Sequence, residues 1–147
     1  MIWIYLLLAL VAGAFMPVQA GVNSQLARWT SHPVLAATIS FIVGTLALLI
    51  YSLTLRSSWP AWGTLSSAPW WVWTGGFFGA FFVAVAAAFA PKLGAATFVS
   101  ITIAGQMFVS LVLDQYGLIG FQPRPINAWR ALGAVLLVIG VALMRKF

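Results

Sequence analysis

Five long apolar runs decide what this chain can become: about Ile2 to Leu26, Pro33 to Leu55, Trp70 to Ala90, Leu93 to Gln115 and Ala128 to Met144. A bilayer core about 30 Å thick is crossed by about 20 apolar residues wound as a helix. Barrel strands are far shorter and alternate in polarity, so runs of this kind predict helices. Charged residues make up only 5% of the sequence, whereas a soluble domain needs about a quarter to clothe its exterior. The expected fold is an all-α membrane protein of five transmembrane helices, with residues 1–147 forming a single transmembrane domain.

The connections are of two sorts. Residues 27–32 and 91–92 are short, which predicts antiparallel hairpins between the first and second and between the third and fourth spans. Ser31 is placed to cap the second helix ahead of Pro33, Pro91 to stop the third, and Asn127 to cap the fifth. Residues 56–69 and 116–127 are longer and rich in Ser, Pro, Gly and Trp. Five crossings put the termini on opposite faces. One face then carries Arg28, Lys92, Arg145 and Lys146, and the other Arg56, Arg124 and Arg130. The positive-inside rule favours a cytoplasmic C-terminus by a single residue, a balance that also suits insertion in both orientations and an antiparallel homodimer. Most tryptophans gather at the N-terminal face, the pattern of an aromatic belt, with a substrate vestibule as the sharper alternative. Val18-Gln19-Ala20 before Gly21 imitates a signal-peptidase site, but residues 1–5 hold no Lys or Arg and the helical pattern continues past it, so the run reads as a span.

The residue inventory excludes most chemistry. Seven basic residues stand against one acid, Asp114, and they sit singly at the ends of apolar runs. That is the placement of lipid-headgroup anchors rather than of a nucleic-acid patch. With no cysteine, one histidine and one carboxylate, the chain has no metal-ligand set, no paired acid and base, and no activated nucleophile. Neither an enzyme, nor a cofactor, nor a metal site is expected. His32, beside Arg28 in a short loop, reads as a solvated histidine.

The polar residues inside the runs are the informative ones. In the first span Pro17 lacks an N–H, which frees the carbonyl of Gly13 and predicts a kink hinged on Gly13 and Pro17. Gln19 and Asn23, four apart, share a face next to it. Carboxamides in hydrocarbon are costly unless hydrogen-bonded, so they must face a neighbouring helix or a wet cavity. Interhelical glue and cavity lining both satisfy that demand, the second resembling the interrupted helices of transporter sites. The fourth span repeats the theme, with Thr102, Gln106, Ser110 and Asp114 at intervals of four. Asp114 ends that row, where the helix dipole disfavours its charge. A salt bridge to Arg124 or Arg130 is the structural reading, and a proton or cation site at a cavity mouth the functional one. Gly75-x-x-x-Gly79, the alanines that follow, and Gly133 with Gly140 offer tight packing surfaces within one chain or between two.

The segment Gly13…Pro17-Val-Gln19-Ala-Gly-Val-Asn23-Ser-Gln-Leu26 resembles the opening helix of the YdcZ-like family of the drug/metabolite transporter superfamily. The resemblance extends to Asp114-Gln-Tyr-Gly117-Leu, to the Gly133…Gly140 helix and to the turn Pro91-Lys92-Leu93-Gly94. It implies a five-helix half-transporter of the bacterial inner membrane, half of an inverted-repeat fold. Such a half pairs with itself or with an oppositely oriented sister chain. The superfamily's small multidrug pumps carry a membrane-embedded Glu in the first helix, and this chain has none. The function expected is a dimeric carrier of a small molecule, with a cavity between the first, third and fourth spans lined by Pro17, Gln19, Asn23, Thr102 and Gln106. The alternative is a non-transporting membrane subunit that stabilises a partner.

Overall fold

The computed structural model of the chain describes residues 2–55 and 58–146. It is helical, and five of its helices are long and apolar enough to cross a membrane. In chain order the elements are α1 (Ile2–Thr30), α2 (Pro33–Thr54), the short α3 (Trp62–Ser66), a 3-10 turn (Trp70–Thr74) that leads into α4 (Gly75–Leu93), α5 (Ala95–Tyr116), a 3-10 turn (Leu118–Gly120) and α6 (Ala128–Lys146). The chain divides into two compact units, one up to Lys92 and one from Leu93 onward. Arg56, counted among the basic residues of the loops, lies outside the described residues.

In the first unit α1 and α2 pack along each other as an antiparallel hairpin. The turn differs from the expected one. Ser31 adopts a left-handed backbone, with φ 58°, to reverse the chain within two residues, and so cannot cap. His32 caps instead: the following proline holds it extended, at φ −153° and ψ 127°, and its Nδ1 accepts the Val34 N–H at 3.2 Å. α1 also runs four residues beyond the Leu26 boundary, through Thr30, since nothing between Ala27 and Thr30 forbids helix.

α4 shows the second departure. It does not stop at Pro91 but continues to Leu93, and the break falls at Gly94, whose φ of 83° no ordinary residue adopts cheaply. A proline within a helix leaves the carbonyl four residues back without its donor, and a membrane helix tolerates this only if another group donates. That carbonyl belongs to Ala87, and the hydroxyl of Ser24 on α1 lies 3.2 Å from it. The same hydroxyl is 2.7 Å from the carbonyl of Ala20 in its own helix, so one O–H serves two acceptors across the α1–α4 seam. Around it the buried residues are small: Ala20 on α1, and Ala86, Ala87 and Ala90 with Val83 on α4. On the other flank of α4, a Cβ at Gly79 would sit 3.3 Å from the Phe41 ring of α2, which is the close approach expected of a glycine there. By contrast, Gly75 meets nothing.

In the second unit α5 and α6 pack along each other, and their connection is tied to both. Asn127 caps α6 as expected, its Oδ1 accepting the Arg130 N–H at 2.9 Å. Asp114 pairs with Arg130, whose guanidinium also donates to the Arg124 carbonyl. The Arg124 N–H returns to the Asp114 carbonyl at 2.7 Å, and the Ile126 N–H to Gln115 Oε1 at 2.7 Å. Gly117 ends α5 in the left-handed conformation, φ 61°, and a Cβ there would stand 2.7 Å from Pro123 Cγ. Gly133 and Gly140 on α6 have open space where a Cβ would go, so they do not pack closely within this chain.

Two substitutions measure these features. Ser24→Ala removes the donor to the Ala87 carbonyl and is expected to lower stability in detergent by about 0.6 kcal/mol, the mean for an interhelical hydrogen bond in a membrane. Gly117→Ala combines a strained backbone with a clash and is expected to cost about 2 kcal/mol. Denaturation of the purified protein in mixed micelles reads both. A Gly117→Ala protein as stable as the parent would contradict the left-handed cap.

Candidate functional site

The site is best built along α1, where the sequence concentrates its carboxamides. Ser24 is bonded to α4 across the seam, Ala20 and Asn23 beside it are buried, and Gly21 and Val22 between them are exposed. Asn23 is only 3% exposed, and it is the buried polar side chain of the chain's described core. Its Nδ2 has no hydrogen-bond partner among the described residues. Two donors of an amide are thus held away from the surface, at a cost of about 1–3 kcal/mol for a buried group left unsatisfied. The neighbouring Ser24 already commits its hydroxyl to Ala20 and Ala87.

The other residues singled out from sequence fall in different surroundings. Gln19 is exposed on the surface of the single chain although it lies one helical turn before Asn23. Four residues advance about 400° around a helix, so the pair is offset by about 40°, enough at the edge of a narrow contact to separate a buried from an exposed position. Pro17 is half-buried, Gly13 is exposed, and α1 continues as helix on both sides of the proline. No side chain among the described residues donates to the Gly13 carbonyl that Pro17 frees, in contrast to the Ala87 carbonyl freed by Pro91.

In the second unit Thr102 is half-buried and gives its hydroxyl to the Val99 carbonyl of its own helix at 2.9 Å, while Gln106 and Ser110 are exposed. Asp114, at the end of that row, is engaged by Arg130, the structural one of its two readings. The structure places Ser24 at the α1–α4 seam, with Asn23 buried next to it in the chain. It does not give Gln19 or Thr102 a partner outside its own helix. Ser24 is the residue that sequence reasoning passed over. The clue was Pro91, which demands a donor from elsewhere once its helix is allowed to continue.

A groove of about 430 Å³ opens between α2 and α4, lined by Val34, Ala37, Thr38, Phe41, Ile42 and Ala80 among others. Its walls are almost wholly apolar, since Thr38 turns its hydroxyl onto the Val34 carbonyl at 2.9 Å. None of the carboxamides lines it. His32 is exposed and occupied as a helix cap. The chemistry these carboxamides and hydroxyls offer is recognition by hydrogen bond and shape.

Comparison with known proteins agrees with this membrane architecture. Residues 4–143 match the family model described as "Putative inner membrane exporter, YdcZ". Over 138 residues the chain is 28% identical to the inner membrane protein YdcZ of Escherichia coli (strain K12), covering 93% of this chain and 91% of that one. No solved structure matched it. A family model that runs almost from end to end, on a chain with five membrane-length helices, decides the assignment: this protein belongs to the YdcZ family of inner membrane proteins.

Proposed function

We propose that the chain is one half of a dimeric small-molecule exporter, and that Asn23 is the residue through which it meets its solute. The observation that carries the proposal is the Asn23 amide, buried next to Ser24 of the α1–α4 seam, with its Nδ2 unpartnered among the described residues. A donor held out of water without an acceptor is destabilising, and a site that must exchange partners during a transport cycle explains why one would be kept. Its neighbourhood also suits movement. Pro17 interrupts the hydrogen-bond ladder of α1 one and a half turns earlier, and Ser24 has a second acceptor in its own helix, so α1 leaving α4 strands only the Ala87 carbonyl, which water entering the opened path would serve. Gly13 and Pro17 act as the hinge in this reading.

Dimerisation is part of the same proposal. Gln19 and Gln106 expose carboxamides within membrane-length helices, and hydrocarbon offers them no hydrogen bond. A second copy, or a sister chain of opposite orientation, would cover them. Family membership supports an export role for the whole, since the family's description reads "Putative inner membrane exporter, YdcZ".

The test compares small molecules in the medium of cells producing the native protein, the Asn23→Leu variant, or neither, by mass spectrometry. At least one solute is expected to accumulate outside with the native protein. For that solute Asn23→Leu should lower the export rate about tenfold, the effect of losing one hydrogen bond to a buried group. Indistinguishable media from all three cultures, with equal amounts of protein in the membrane, would remove the export reading. A leucine variant as active as the native protein would remove Asn23 from the path.

A further inference from the structure

The connection between α5 and α6 contains a cation that takes no part in holding it closed. Three ties fix it: the Arg130 guanidinium to Asp114, the same guanidinium to the Arg124 carbonyl, and the Arg124 N–H to the Asp114 carbonyl. Every one of these uses Arg130 or the backbone of Arg124. The Arg124 side chain takes no part in them and has no hydrogen-bond or ion-pair partner among the described residues, while its root is clamped on both sides. It forms, with Asp114, Gly120, Phe121 and Gln122, the wall of a cavity of about 370 Å³.

We propose that this cavity binds the phosphate of an anionic lipid headgroup. Asp114 lines the cavity as well, but its charge is matched by Arg130, so the cluster presents one uncompensated positive charge. An arginine fork suits the oxygens of a phosphate, and Gln122 adds a neutral hydrogen-bonding group beside it. The location selects a lipid over a phosphate-bearing solute. The cavity sits where one membrane-length helix ends at Tyr116 and the next begins at Ala128, which is headgroup level. Around it Tyr116, Ile119, Phe121 and Trp129 are exposed at 70%, 66%, 55% and 80%. These side chains give acyl chains a surface to follow, whereas a free phosphate has no use for them. Clamping Arg124 by its backbone lowers the entropy lost when its guanidinium closes on the headgroup. The site lies wholly within the second unit and is independent of the export reading.

Nanodiscs holding equal amounts of phosphatidylglycerol and phosphatidylcholine with identical acyl chains provide the test. The protein is released in a mass spectrometer and the lipids it retains are counted. The native protein is expected to retain phosphatidylglycerol about fivefold over phosphatidylcholine, the effect of one basic side chain at an anionic surface. Arg124→Gln should reduce that ratio to about one, while Arg124→Lys keeps most of it. Arg28→Gln removes the same charge from an exposed arginine elsewhere and should lower the ratio much less than Arg124→Gln does. Equal loss in Arg124→Gln and Arg28→Gln would overturn the proposal in favour of diffuse surface charge, as would a native ratio of one. Inorganic phosphate, added against chloride at matched ionic strength, should not displace the lipid, and displacement by phosphate alone would overturn the lipid assignment.

Discussion

A backbone carbonyl without a donor has water to turn to in a soluble protein and nothing in a bilayer. Pro91 creates such a carbonyl at Ala87, and the hydroxyl of Ser24 answers it from the neighbouring helix. Much in the first unit follows from that arrangement. It needs α1 and α4 close together, which explains why the seam is built from alanines. It fixes the rotation of α1, and that rotation sends Asn23 inward and Gln19 outward. With Asn23 inside, the chain holds a buried amide whose Nδ2 lacks an acceptor, and the proposed export role grows from that unmet demand.

The second unit solves a related problem with charge. Its one acid stands at the C-terminal end of a helix, where the backbone dipole repels it. Arg130 relieves this and, by reaching the Arg124 carbonyl with the same guanidinium, closes the connecting segment. Arg124 supplies only backbone to the clasp, so its charge stays available at headgroup level. The two units therefore handle polarity differently. In the first, Asn23 and Ser24 are turned from the surface into the protein. In the second, charged groups are kept at the edge, where water and headgroups share the cost.

The five spans were legible because length and apolarity are properties of a run and survive local exceptions. The Asp114 ion pair and the Asn127 cap were legible for a similar reason, as each has few partners to choose from. Single turns were harder. Ser31 looked like the better cap by residue type, yet a two-residue reversal needs its backbone left-handed, and Pro33 leaves His32 extended and ready to serve. Pro91 looked like a terminator because propensity ignores neighbours, and here a neighbour restores the bond. On α1 the i, i+4 spacing groups Gln19 with Asn23, yet the first is exposed and the second buried, because spacing along a helix does not say where its contact with a neighbour ends. The same limit applies to Gly133 and Gly140, whose spacing suggested a packing face that this chain leaves open.

An exporter of this kind requires Asn23 to face a path that a solute can enter, and not merely a packed seam or lipid. Because the chain has no cysteine, a thiol placed by substitution is the sole reporter, and thiols react with water-soluble maleimides only where water reaches them as thiolates. Asn23→Cys and Val22→Cys place it on the buried and the outward side of the same turn, Val22 being 61% exposed on the chain's surface. In native membranes Asn23→Cys should react at least about tenfold faster than Val22→Cys, as transport opens the seam to water. Equally slow reaction at both positions would mean that the amide is sealed in place as glue between helices, and the exporter site would have to lie elsewhere.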